Sequence, residues 1–231
     1  MFNQDKAGQE YWSHLWNQSD LPPEFDFTSR RLNDYPNRIL HNLFSQNLKD
    51  LSGADYKLLE IGCGNSVFLP YFQKQYGFKV YGIDYSETGC EQAKAILNRE
   101  GVLSGEIILG DAFKPSEELI GKFDIVCSFG VVEHFEDTTA TLAAFSTYLK
   151  PGGLLITTIP NLSGITGWLQ KKMNKPVYDI HVPMDKSMLE NAILKSGLKL
   201  KFSAYFLPVS FAVTLEGKSG SKIPYYPIKF I

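Results

Sequence analysis

The sequence predicts an α/β fold: a parallel sheet whose strands are joined by crossover helices. Three observations lead there. From Lys57 onward, short apolar runs alternate with longer stretches of helical period. Two of the runs, ending at Ile61 and Asp84, stop at glycine-containing or acidic turns that open the next helix. The 231 residues exceed the common single-domain size but fall short of two average domains, which suits one α/β unit with an added lid.

The segment before Lys57 is mostly helical in pattern and unusually aromatic. Lys57 to Ile61, Phe78 to Ile83, Glu106 to Leu109 and Phe123 to Ser128 read as inner strands, each a compact apolar run. Ser66 to Tyr76 and Ser86 to Glu100 read as helices, the second capped by Ser86 with Glu87 and Glu91 near its positive end. A third helix, Asp137 to Leu149, is expected to end at Lys150-Pro151-Gly152-Gly153, and a fifth strand, Leu154 to Ile159, follows. Asn161 to Asp185 lacks strand alternation and reads as a lid or insertion. Asp185 then caps a helix to Ser196 that Gly197 stops, and Leu198 to Phe206 with Phe211 to Leu215 read as two last strands. The expected layout is one domain: residues 1–56 as a helical cover, 57–160 as the core, 161–185 as the insertion and 186–231 as the closing helix and strands.

Composition bounds the partners. Hydrophobic residues at 44% and charged residues at 21% are ordinary for a globular chain. A formal net charge of -2 supplies no broad positive field for a nucleic-acid backbone, so no nucleic-acid partner is expected. No apolar signal core and no bilayer-length apolar run occur, so the expectation is a cytoplasmic protein without stable membrane insertion. Cys63, Cys90 and Cys127 form no paired spacing and read as buried free thiols. His14, His41, His134 and His181 form no i, i+4 pair, so no metal is expected.

The chemistry lies at the strand ends. Leu58-Leu59-Glu60-Ile61-Gly62-Cys63-Gly64-Asn65-Ser66 is a buried strand that ends near a carboxylate and turns through two glycines into a helix. Dinucleotides and S-adenosylmethionine both use such a turn. A dinucleotide fingerprint wants a third glycine where Val67 stands, and Glu60 would face a pyrophosphate with like charge, whereas it suits ammonium and sulfonium charges. Asp84 ends the second strand twenty residues after Gly64, placed to accept from both hydroxyls of a ribose or, alternatively, to cap the following helix. Gly110-Asp111-Ala112-Phe113 sets a carboxylate, an amide and an aromatic ring at the same edge, a set that can hold an adenine.

Together with Phe123-Asp-Ile-Val-Cys-Ser-Phe-Gly-Val-Val-Glu-His-Phe135 and Leu149-Lys-Pro-Gly-Gly-Leu154, these motifs resemble the class I S-adenosylmethionine-dependent methyltransferases over roughly Lys57 to Pro160. The resemblance implies a Rossmann-like, doubly wound, mostly parallel seven-stranded sheet with a reversed hairpin at one edge. It implies S-adenosyl-L-methionine as cofactor and S-adenosyl-L-homocysteine as product. Glu60, Gly62 and Gly64 then line the methionine end, with Cys63 between them. Asp84, followed by Tyr85, takes the ribose; Asp111 and the Ala112 amide, beside Phe113, take the adenine; Phe129 and Gly130 flank the methionine part. Ser66 departs from the family, many members of which carry a third glycine there.

Phe129-Gly130-Val131-Val132 is not the Asn/Asp-Pro-Pro-aromatic tetrapeptide of adenine- or glutamine-N-methylating enzymes, and Val132-Glu133-His134-Phe135 resembles the branch acting on quinone-type and natural-product acceptors. The implied partner is a small-molecule acceptor methylated on O or N. Alternatives are a protein methyltransferase and a non-catalytic S-adenosylmethionine-binding subunit. His134 is the candidate base, against the alternative that it only packs over the cofactor. Tyr11 and Trp16, from the Tyr11-Trp12-Ser13-His14-Leu15-Trp16 cluster, are candidates for an aromatic cover over the cofactor or for plain packing on the sheet. His14, Trp168, Tyr178 and His181 are candidate substrate contacts. Trp168, Leu169, Lys171, Lys172 and Met173 read either as a basic amphipathic face for a membrane or lipid-like acceptor or as a solvated lid helix. The oligomeric state stays open.

Overall fold

The computed structural model describes residues 5–31, 34–103 and 105–206. Two helices, α1 (Gln9–Gln18) and α2 (Tyr35–Leu48), precede the sheet. Then β1 (Lys57–Ile61), α3 (Phe68–Tyr76), β2 (Lys79–Asp84), α4 (Glu87–Arg99), β3 (Glu106–Leu109) and β4 (Phe123–Phe129) alternate. A 3-10 turn at Val132–His134, α5 (Thr138–Ser146), β5 (Leu149–Thr158), α6 (Ile165–Met173), α7 (Lys175–Asp179) and α8 (Lys186–Lys195) complete the described elements.

All four strand pairings are parallel, in the order β3-β2-β1-β4-β5. Adjacent residues of a strand point to opposite faces, so Leu58 and Leu59, both fully buried, enter different cores. One face is covered by α2, α3 and α4 through Phe44, Leu48, Phe72, Ala93 and Leu97; the other takes Leu142, Phe145 and Tyr148 from and after α5 and Ala192 from α8. Helices on both faces make the sheet doubly wound. The chain runs outward from β1 to β3 and then returns to the other side of β1 with β4. That reversal opens a crevice at the C-terminal ends of β1 and β4, where open α/β sheets bind ligands.

Side-chain caps mark several helix starts. Ser86 accepts from the Gly89 N–H, Asp137 from Ala140 and Asp185 from Met188, which satisfies donors a helix start leaves orphaned. Ser66 does similar work: its Oγ accepts from the Phe68 N–H, and α3 begins at Phe68 rather than Ser66.

Two expectations are corrected. The helix before Pro151 stops at Ser146, and β5 begins at Leu149 and absorbs Lys150-Pro151-Gly152-Gly153. Burial explains the early stop, since Tyr148 is fully buried against Phe123 and cannot lie on a helix facing solvent. Strand β5 is the edge of the described sheet, where proline's missing N–H costs no ladder bond, and the register slips between Phe123 and Ile125 to take the glycines in. Leu198 to Phe206, expected as a strand, is irregular, so the described sheet has five strands rather than seven; Phe211 to Leu215 lies outside the described residues.

Asp124 ties the bottom of the sheet. Its carboxylate accepts from the Lys57 N–H at 2.9 Å and pairs with Lys150 Nζ at 2.8 Å through both oxygens, joining β1, β4 and β5. Burial pushes this carboxyl up, but the Lys150 ammonium and the Lys57 N–H outweigh it and hold it below the usual range. A depressed folded value contributes stability above the ordinary pKa that is lost as pH falls through the folded one. Asp124→Asn should therefore cost about 1 kcal/mol at neutral pH, the pair being partly solvated. In urea titrations the gap should close as the pH drops below the ordinary carboxylate range; a gap unchanged in acid would show that the charge is not what stabilises.

Candidate functional site

The crevice holds a cavity of about 550 Å³, within the range of small-ligand sites. Its walls come from the ends of β1, β2, β3 and β4 and from α1, and they include Glu60, Gly62, Cys63, Gly64, Asp84, Tyr85, Asp111, Ala112, Phe113, Phe129, Gly130, His134 and Trp16. Chain segments far apart in sequence thus bring these thirteen expected residues to one place.

The turn after β1 explains its glycines. Gly62 and Gly64 have φ of +70° and +31°. A Cβ on Gly62 would lie 2.6 Å from Val131 Cγ2, and one on Gly64 would lie 2.8 Å from the Trp16 ring. The Gly62 N–H donates to Ile83 O at 2.8 Å, and the Gly64 N–H donates to Asp84 Oδ2 at 2.8 Å. The other carboxylate oxygen of Asp84 accepts from the Ser86 N–H. Asp84 therefore joins the two loops of the crevice, and Ser86, not Asp84, caps α4. Burial raises the Asp84 carboxyl above its ordinary value despite these backbone donors.

Each remaining wall residue has a physical reason to be where it is. Cys63 is buried with its Sγ against the bare Cα of Gly82, where a Cβ would lie 2.7 Å away, and burial, Asp84 and Glu60 push its thiol well up. It shapes the wall and is no nucleophile. Tyr85 donates its hydroxyl to Asp5 Oδ2 at 2.8 Å. Asp111 is engaged by the Phe113 N–H at 2.9 Å and by Lys114 at 3.0 Å, on an exposed rim. Phe113 meets Phe135 with ring centroids 4.7 Å apart, and Phe129 meets Phe68 at 4.3 Å.

Helix α1 lies across the mouth. Gln92 donates to Trp16 O, Gln9 donates to Tyr85 O, and Ser13 and Ser86 share a hydroxyl contact. The buried indole N–H of Trp16 finds no acceptor among the described residues. Trp12 lines the cavity and stands edge-on to His134 at 4.9 Å. Sequence reasoning missed Trp12, because an aromatic cluster does not reveal which ring turns inward; Tyr11, expected here, packs on Trp12 outside the wall.

His134 is 4% exposed, and burial, then His181, lower it to about 3, so the ring is neutral. Its Nδ1 donates to Ile180 O at 2.9 Å, since a carbonyl can only accept. His181 stacks obliquely on it at 4.4 Å, behind the wall. Burial pushes the Glu133 carboxyl up to about 8. Of the other expected substrate contacts, His14 pairs with Gln18 on the exposed side of α1, Trp168 is 61% exposed, and Tyr178 faces the Lys171 ammonium; none of the three lines the cavity. Among the described residues no helix is long and apolar enough to cross a membrane.

A family model described as a methyltransferase domain matches residues 27–201, about three quarters of the chain. Among curated proteins, the chain is 28% identical over 156 residues to the ubiquinone biosynthesis O-methyltransferase of Acinetobacter baylyi, covering 64% of this chain and 65% of that one. It is 29% identical to the ubiquinone biosynthesis O-methyltransferase of Cereibacter sphaeroides, covering 70% and 68%. The chain thus spans slightly less than two thirds of the Acinetobacter relative's length. In fold it is similar to phosphoethanolamine N-methyltransferase 2 of Haemonchus contortus, solved in complex with S-adenosyl-L-methionine, with a TM-score of 0.59 at 17% identity over 83% of this chain and 42% of that one.

The β1 turn gives a test of the wall geometry. Gly62→Ala should destabilise by about 2–4 kcal/mol, combining left-handed strain with the clash on Val131. Adding Val131→Ala should recover part of that loss, leaving the strain. Urea unfolding of the three variants checks it, and a cost under about 1 kcal/mol for the single variant would show that the turn has room.

Proposed function

This chain belongs to the methyltransferase-domain family, and from that premise we propose that it transfers the methyl group of S-adenosylmethionine to an oxygen or nitrogen of a small-molecule acceptor. The observation that carries the proposal is the donor and acceptor set of the cavity at the strand ends. Glu60, 1% exposed, meets positive charge; the orphaned Trp16 N–H suits a carboxylate; Asp84 offers lone pairs to ribose hydroxyls; Phe113 and the Ala112 amide suit adenine. Each feature answers one part of S-adenosylmethionine, and none answers a pyrophosphate. Similarity to ubiquinone biosynthesis O-methyltransferases favours a small, ring-bearing acceptor over a protein.

When bound, the cofactor supplies a methyl group already activated by its sulfonium leaving group, so holding the acceptor in line contributes most of the rate. The chain's own residues supply the walls. Gly62 and Gly64 let backbone come close, Phe129 and Trp12 exclude water, and α1 covers the mouth. His134 faces the acceptor side. With Nδ1–H held by Ile180 O, its Nε2 keeps the lone pair and can take the acceptor's proton. Residues 161–185, which reach the site through Ile180, His181 and Val182, serve as the acceptor-side lid. The chain works as one unit: cover, core, lid and closing helix.

Calorimetry should show binding of S-adenosylmethionine and S-adenosylhomocysteine and none of NAD; the reverse pattern would overturn the reading. Asp84→Ala should weaken cofactor binding by about 1.5–3 kcal/mol. Its melting temperature should fall as well, because Gly64 and Ser86 lose their acceptor. His134→Ala should leave cofactor affinity nearly intact and lower single-turnover methylation by about 10²–10⁴. An unchanged rate would leave positioning alone as the source of catalysis.

A further inference from the structure

Glu133, His134 and His181 each bring one ligand atom, a carboxylate oxygen or an imidazole nitrogen, and these three atoms lie within 4.8 Å of one another. Two chain segments build the cluster. Glu133 and His134 sit in the 3-10 turn after β4, and His181 follows α7. Backbone bonds fix the two segments together: the Val182 N–H donates to Glu133 O at 2.6 Å, and His134 Nδ1–H donates to Ile180 O at 2.9 Å.

The hydrogen bonding orients the imidazoles. His181 Nδ1 lies 2.6 Å from Val177 O, so it too must carry the proton and donate. Both rings are thereby set in the tautomer that leaves Nε2 as a lone-pair donor. An Nδ1–H anchored on a carbonyl is the arrangement that holds metal-binding histidines in place and raises their basicity. The carboxylate supplies an independent observation. Glu133 is 2% exposed, and its buried Oε2 finds no hydrogen-bond partner among the described residues. A carboxyl placed so pays a desolvation cost that nothing in the methyl-transfer reading explains.

We propose that Glu133, His134 and His181 form a site for one divalent transition-metal cation of the zinc type, with an open position toward the large cavity. Two imidazoles and one carboxylate suit zinc, cobalt, manganese or iron; magnesium and calcium take all-oxygen shells. Three protein donors leave a fourth position, and His134 is the member that lines the cavity, so that position opens where water or an acceptor oxygen can enter. Donors on a tetrahedral cation stand about 2.0–2.2 Å from it, hence roughly 3.4 Å from one another, inside the 4.8 Å within which they all lie here. The Glu133 side chain, whose Oε2 has no hydrogen-bond partner among the described residues, can supply the movement this asks for. The site goes beyond the methyl-transfer reading and does not require it. In the loaded protein the cation takes the lone pair that metal-free His134 offers to an acceptor's proton, so the two uses of this imidazole alternate.

Tag-free protein stripped with a chelator and titrated with Zn²⁺ and Co²⁺ tests the site without cofactor or acceptor. The expected result is one saturable equivalent per chain. Bound Co²⁺ should show ligand-field absorption without the sulfur-to-metal charge-transfer band that Cys63, Cys90 or Cys127 would produce. His181→Ala and the isosteric Glu133→Gln should each lower affinity by about a hundredfold or more, exceeding the loss of an outer partner. His14→Ala, on the exposed face of α1, should not change it. Circular dichroism melts establish that the variants fold, and Glu133→Gln carries the test should His181→Ala fail to. Absence of a saturable equivalent, a sulfur-to-cobalt band, or equal affinity in native protein and Glu133→Gln would overturn the proposal. Because the titration measures metal alone, its failure leaves the methyl-transfer reading standing, and a failure of that reading leaves this result intact.

Discussion

The buried carboxylate of Asp84 is the constraint on which the site depends. One of its oxygens accepts from the Gly64 N–H and the other from the Ser86 N–H, so a single side chain binds the turn after β1 to the start of α4. The Gly62 and Cys63 N–H groups reinforce the join by donating to Ile83 O. Four backbone donors of two loops are thus satisfied at the end of β2, and the turn after β1 is held with its glycines lining the crevice. Glycine adopts the positive φ of Gly62 and Gly64 without strain, and these bonds select that conformation from the many a glycine permits. Without Asp84 the turn would keep only its bonds to Ile83 O.

That join has an electrostatic consequence. Glu60 and Asp84 stand at the ends of adjacent strands, both nearly buried, and their joint field is registered by Cys63, whose thiol burial, Asp84 and Glu60 all push up. Carboxylates buried in a region of low dielectric are costly until positive charge meets them. A ligand with an ammonium and a sulfonium relieves the cost, whereas a phosphate would add to it. The selection between cofactor classes thus follows from where the strands end and not from a contact that only the ligand makes.

The parts of the fold legible in the sequence were those governed by local chemistry. Strand β1 and the turn Gly62-Cys63-Gly64 could be read because a buried run, a carboxylate and two glycines each restrict the backbone on their own. The caps at Ser86, Asp137 and Asp185 were legible for the same reason. What could not be read depended on packing. Tyr148 draws the chain out of α5 early because it is needed in the core, and Pro151 fits a strand only because that strand is at the edge of the described sheet. Trp12 turns inward where Tyr11 does not, and nothing in their adjacency tells the two apart. The pairing of His181 with His134 is invisible in the sequence, since the spacing rules for ligand pairs work along one helix and cannot see a partner that the chain brings back from a distance.

The turn at Val132–His134 gathers more of the molecule than its three residues suggest. The Lys6 N–H donates to His134 O, Asp5 bridges to Phe135, and Trp12 stands on the His134 ring, so the N-terminal cover is attached there. From the opposite side, Ile180, His181 and Val182 attach to the same Glu133 and His134. The N-terminal segment with α1 and the segment after α7 therefore share one anchor, which is buried and follows directly from β4. Each side is bonded to a backbone carbonyl of this turn, Lys6 to His134 O and Val182 to Glu133 O. His134, whose ring touches Trp12 on one side and His181 on the other, is the contact that the two attachments share.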